Sequence, residues 1–134
     1  MKIVLILIAI LAALAYPRVK PLPTNRIGAR PGPMEPGVHP MPGGVKVVEA
    51  GQPPDAAARL VKIAADSPRT RILETGEVTT LVTRSRLWGF PDIAVIWQEE
   101  DRLHIHSHLT IGRSDFGVNA ARVAGWLNAL HADP

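Results

Sequence analysis

Three histidines alternate along one short stretch, His104-x-His106-x-His108, and they are the side chains best suited to chemistry. Residues two apart on an extended chain share a face, so His104 and His106 can offer two imidazoles to one metal ion. Three in line span about 13 Å at ~3.3 Å per residue, too far for a single ion. A metal site here therefore needs a third ligand from a neighbouring strand, and no segment supplies an obvious one.

Hydrolytic chemistry has residue types but no assembled pattern. Ser107, Ser114, Asp115 and the histidines are present, yet no serine stands in a G-x-S-x-G elbow. Glu99, Glu100 and Asp101 crowd into a charged turn where solvation explains them, and no phosphate-binding glycine loop opens a helix. The chain has no cysteine, which removes thiol nucleophiles and disulfides. No catalytic residue is assigned and no cofactor is called for. A metal-dependent enzyme using the His104-x-His106 pair is the alternative to a non-catalytic binding or structural module.

Binding draws on a different set. Arg84 and Arg86 are two apart on a second extended stretch and, if they share a face with His106 and His108, make a basic surface. Such a surface suits an anionic lipid or an acidic protein partner, more strongly when histidines protonate below pH ~6.5. Nucleic acid is set aside because the basic excess lies elsewhere. From Val45 onward ten Lys and Arg face eleven Asp and Glu, so the net charge of +3 comes from Lys2, Arg18, Lys20, Arg26 and Arg30.

The elements that must position these residues follow from periodicity. Residues 52–67 carry Ala57, Leu60, Val61 and Ala64 at helical spacing, with Pro54 in the first turn and Pro68 as the stop. Strands are expected at Thr70–Glu74, Glu77–Leu87, Ile93–Gln98 and Leu103–Gly112. A last helix from Val118 to Leu130 buries Val123, Trp126, Leu127 and Leu130. Short links between strands favour an antiparallel meander. The expected fold is α+β, a two-layer sandwich of a four-stranded, mainly antiparallel meander with both helices on one face. The other face is open or covered by the N-terminal arm.

Ahead of this domain, residues 45–134, lie two segments of different character. Residues 3–16 are uniformly apolar or aromatic behind Lys2. They read either as a single membrane anchor or as a signal cut near Ala15, the latter releasing the domain to the periplasm. The basic residues that follow favour a cytoplasmic location by the positive-inside tendency, whereas secretion would place them outside. Residues 17–44 hold eight prolines and read as an extended linker. If that stretch is instead an ordered arm, Val45–Val48 adds a short edge strand.

Two motifs carry a family resemblance. Gly112-Arg113-Ser114-Asp115-Phe116-Gly117-Val118-Asn119, with Arg122 a turn later, and the earlier Thr83-Arg84-Ser85-Arg86-Leu87-Trp88-Gly89-Phe90-Pro91-Asp92 closely resemble the two signatures of the bacterial and plastid family called domain of unknown function 1499. The resemblance covers roughly residues 55–130. It implies a small domain, often behind a membrane anchor or signal, with no established activity or cofactor; with the apolar N-terminus, the chain is expected to be a module of the bacterial cell envelope. Many members carry arginines before the glycine where this chain has His106-Ser107-His108, which makes any anion-binding role there dependent on pH. Read from the residues alone, the motif is structural. Gly112 and Gly117 shape a turn, Asp115 caps the last helix, Asn119 bonds back across it, and Arg84, Arg86, Arg113 and Arg122 offer partners to Asp92 and Asp115.

Overall fold

A computed structural model describes residues 1–132. An apolar helix, α1 (Lys2–Val19), leads into an arm with one 3-10 turn at Thr24–Arg26. A hairpin of β1 (Gly37–Met41) and β2 (Gly44–Glu49) follows, then α2 (Ala56–Ala65), the strands β3 (Thr70–Glu74), β4 (Val78–Arg84), β5 (Pro91–Glu99) and β6 (Arg102–Leu109), and α3 (Val118–Ala132). The architecture is α+β as expected, but the antiparallel sheet has six strands, in the order β1-β2-β6-β5-β4-β3.

The two additional strands come from the hairpin at the end of the proline-rich stretch. Pro42 and Gly43 make its two-residue turn, with Gly43 at φ 78° where glycine is favoured. Pro40 lies on the edge strand β1, where a missing backbone donor breaks no ladder. Val45–Val48 is therefore interior: β2 pairs with β1 on one side and with β6 on the other.

Alternation along the strands builds two faces. Val45, Val47, Leu81, Ala94, Ile96, Leu103 and Ile105 meet Ala56, Leu60 and Ala64 of α2 and Val123, Trp126, Leu127 and Leu130 of α3. Each fully buried aliphatic side chain there contributes roughly 1.5–3 kcal/mol, so this face supplies most of the packing energy. Trp126 Nε1 donates to Ser67 Oγ at 2.7 Å, tying α3 to the end of α2.

The second face is covered. The segment expected as a linker crosses it as a fixed arm: Gly28 N donates to Thr80 Oγ1 at 2.9 Å, Lys46 Nζ to Pro31 O at 2.8 Å, and Arg102 Nη1 to Met34 O at 3.3 Å. Arg30 bridges Glu77 and Glu99 at 2.9 and 2.6 Å. Proline leaves few backbone donors to satisfy, so the arm is held by carbonyls and side chains. Beneath it Val78, Val95 and Trp97 form a smaller apolar cluster.

Candidate functional site

Strand register settles which candidate residues share a face. Arg84 pairs with Pro91, Ile93 with His108, Val95 with His106 and Trp97 with His104. Residues two apart share a face, so Arg84 and the three histidines all point to the arm side. They do not form one surface there. Arg84 and Arg86 line one pocket at the α1 end of the sheet, and His106 and His108 line another under the arm.

The first pocket, about 440 Å³, gathers Arg18, Arg69, Arg71, Arg84 and Arg86. Arg18 stands in the last turn of α1. Its guanidinium donates to Leu14 O at 2.7 Å, Trp88 O at 3.0 Å and Leu87 O at 3.2 Å. Arg84 Nη1 donates to Pro17 O and Gly89 O, both at 3.0 Å. Arg84 thus satisfies the free Pro17 carbonyl at the helix C-terminus, and Arg18 ties the same end to the 85–90 loop, where the macrodipole favours positive charge. Arg69 is held at φ 56°, a conformation that costs a non-glycine residue energy, and its Nε donates to Arg84 O at 3.0 Å. Among the described residues none of the five arginines pairs with a carboxylate. Arg71 and Arg86 are exposed, and no side-chain partner holds either among the described residues.

The loop beside this pocket is closed on itself. Ser85 N donates to Phe90 O, Gly89 N to Ser85 O, and Phe90 N to Ser85 Oγ. Gly89 sits at φ 70°, and a Cβ there would lie 3.0 Å from the Arg18 guanidinium carbon. The loop displays Leu87 at 73% and Trp88 at 46% exposure next to the end of α1.

The second signature packs against the first. Ser85, Phe90 and Asp92 share a small cleft with Ser114, Asp115 and Val118. Asp115 accepts from Gly117 N at 3.1 Å and Asn119 N at 2.8 Å, the expected cap. Burial pushes its carboxyl up, and these amides outweigh that and leave it lowered. The Asn119 side chain also reaches inward: Oδ1 accepts from Ser107 Oγ and from Arg122 Nη1 at 2.8 Å. Arg122 also pairs with Asp92 at 3.1 Å. The other expected partnerships fail. Arg84 is committed to backbone carbonyls, and no arginine pairs with Asp115 among the described residues. Arg113 is exposed.

A family model for a protein of unknown function, DUF1499, matches residues 11–130. The chain belongs to that family. No curated protein and no solved structure matches it. In this DUF1499 protein the match begins inside α1 and includes the arm, so the family unit extends well before the residues that carry the two signatures. By length and composition α1 is compatible with crossing a membrane, and a signal sequence passes the same test. Its 18 residues span about 27 Å, more than the apolar run of residues 3–16 suggests, because Pro17 and Arg18 continue the helix.

The candidate metal pair does not converge on a third ligand. Among the described residues no three His, Cys, Asp or Glu side chains are grouped to hold a metal ion. His104 is 1% exposed and stacks on Trp97 with ring centroids 4.7 Å apart, and among the described residues neither of its nitrogens has a hydrogen-bond partner. Burial, then Lys46, lower its pKa. Lys46 is itself buried, with Nζ 4.1 Å from the Trp97 ring centre. Burial pulls its pKa down from 10.5 to about 8 against an upward pull from Glu99.

Arg18, Arg69 and Arg71 escape a reading of the two motifs alone. One signal was available: Arg69-Thr70-Arg71 repeats the R-x-R spacing of Arg84-Ser85-Arg86 on what becomes the adjacent antiparallel strand.

Proposed function

We propose that this protein is a membrane-associated, non-catalytic binding module of the cell envelope whose arginine pocket receives the phosphate of an anionic lipid headgroup. One observation carries the reading. Arg18, in the last turn of the apolar helix, lines the same pocket as four arginines of the folded domain, none with a carboxylate partner among the described residues. With α1 in a bilayer, that pocket lies at headgroup depth, and guanidinium forks match phosphate oxygens bidentately. Leu87 and Trp88, exposed on the adjoining loop, suit the interfacial layer where aromatic residues concentrate.

Trp88 makes the test direct, because Trp97 and Trp126 are buried. The full chain is reconstituted in bilayers doped with brominated phosphatidylglycerol or brominated phosphatidylcholine, and tryptophan quenching is compared. Stronger quenching by the anionic lipid, abolished by Arg71→Gln with Arg86→Gln, is the expected result. Equal quenching by both lipids removes headgroup selectivity. No quenching by either places the loop away from the bilayer and overturns the reading.

A further inference from the structure

The second pocket has a separate character. About 340 Å³ in volume, it is roofed by the arm through Asn25, Arg26, Ala29 and Pro31 and floored by the sheet through Met41, Ile93, Val95, His106 and His108. Its polar groups come from the 3-10 turn and β6, and the rest of the lining is apolar. Arg26 is fixed by donating to Leu109 O at 2.6 Å, with its other terminal nitrogen 3.4 Å from His108 Nδ1. His108 lies with Nδ1 2.7 Å from Leu109 O and Nε2 2.8 Å from Pro42 O. His106 stacks parallel to it at 5.8 Å. No carboxylate lines the pocket or pairs with these groups among the described residues.

We propose that this pocket binds a small carboxylate bearing a short apolar tail, its head held by Arg26, His106 and Asn25 and its tail laid along Ile93, Val95 and Met41. A mostly apolar cavity of this size with a few convergent polar groups is what small-ligand sites look like. At ~30 Å³ per non-hydrogen atom, the share of a water in the liquid, it holds roughly ten such atoms. Charge selects the head group. Among the described residues Arg26 is the one fixed cation lining the cavity, which matches a monoanion better than a phosphate dianion.

Three groups face His106: His108 on its own strand, Lys46 from β2 and Arg26 from the arm, while β5 offers only Val95 and Ile93. Burial first, then the charge environment set by these neighbours, Lys46 and Arg26 among them, lowers its pKa to about 4. The negative charge of a bound carboxylate beside His106 acts in the opposite direction, so occupancy raises that value and favours a proton on His106.

The test uses the full chain in zwitterionic nanodiscs, reading the His106 Cε1–H signal by NMR during titration with millimolar hexanoate. A saturable shift is expected, with the His106 titration moving upward and hexanol producing no shift. Arg26→Gln should weaken binding about tenfold or more, the equivalent of ~1.4 kcal/mol. Ala29→Phe, a change in the arm that leaves the core untouched, should block the tail while acetate still shifts the signal. Quenching of Trp88 by brominated lipid should be unchanged in both variants, which separates this site from the arginine pocket. No saturable hexanoate shift overturns the proposal, and so does inorganic phosphate acting as strongly as hexanoate.

Discussion

Asp92 and Arg122 join the two signature segments: Arg122 Nη1 lies 3.1 Å from Asp92 Oδ2, with the side chains 14% and 15% exposed. Asp92 closes the first signature and Arg122 follows the second by one helical turn, so the pair fixes the strand β5 against α3. Burial pushes the Asp92 carboxyl above its usual value and Arg122 pulls it back, leaving it raised. A raised carboxyl favours the fold when protonated and loses that advantage as pH rises through its titration. Arg122→Met removes the compensating charge and should cost about 3 kcal/mol at neutral pH, where the half-buried Asp92 carboxylate loses its counter-charge. The loss should shrink in acid, once Asp92 is protonated. Urea unfolding of both proteins at neutral and acidic pH checks this, and an equal loss at both would refute it.

Asn119 should matter more than a helix-start asparagine ordinarily does. It is fully buried and accepts from both Ser107 and Arg122, and its Nδ2 lies 3.5 Å from Gly43 O. Asn119→Ala leaves the buried Ser107 hydroxyl and the half-buried Arg122 guanidinium each short of an acceptor, a loss of about 2 kcal/mol. In a Ser107→Ala background the same change should cost at least ~0.5 kcal/mol less, because one stranded group is gone. Thermal unfolding of the four proteins gives the coupling, and additive losses would show that the bond carries no energy.

What periodicity could reveal is visible by comparing particular residues. Val123, Trp126, Leu127 and Leu130 keep helical spacing and all are buried, and the strand expected at Thr70–Glu74 is observed with those bounds. Both features are local. The strand β1 is not legible because Gly37 and Pro40 argue against any strand until a partner, β2, makes an edge position available. Lys46 interrupts an apolar run, and nothing local marks it as buried. Its burial arises only because Pro31 and Gly32 of the arm lie across it, with Lys46 Nζ bonded to the Pro31 carbonyl. For the same reason Arg84 and His106 share a face yet line different pockets: the arm divides a surface that strand alternation alone leaves whole.

Lys46 gives the fold an alkaline signature. Its folded pKa of about 8 lies below the ordinary 10.5, so between those values the unfolded chain holds a proton that the folded chain has released. Stability should therefore rise across that window from this residue, and be lost again as pH falls through 8. Lys46→Met keeps the volume and deletes the titration. The difference in urea midpoint between the two proteins should move in favour of the natural chain from pH 8 upward. A constant difference would mean that Lys46 is solvated and the arm does not cover it.

The signature glycines and the hairpin glycine should behave in opposite order to their prominence in the sequence. Gly117 sits at φ 77°, and a Cβ added there would meet nothing within 4 Å, so Gly117→Ala faces only backbone strain, about 1–2 kcal/mol. Gly44 belongs to no motif. A Cβ there would collide with the Ser107 carbonyl oxygen and lie 2.7 Å from His108 Cδ2, and a carbonyl in a sheet ladder cannot step aside. Gly44→Ala must push β2 away from β6 and should cost about 3 kcal/mol or more, or prevent folding. Because Gly44 pairs with His108, a folded Gly44→Ala protein should also show displaced His106 and His108 signals, whereas Gly117→Ala should leave them in place. Thermal midpoints and histidine NMR spectra of the two variants decide it. A Gly44→Ala protein more stable than Gly117→Ala would mean that β2 and β6 do not approach this closely, and with that the floor of the histidine pocket would have to be redrawn.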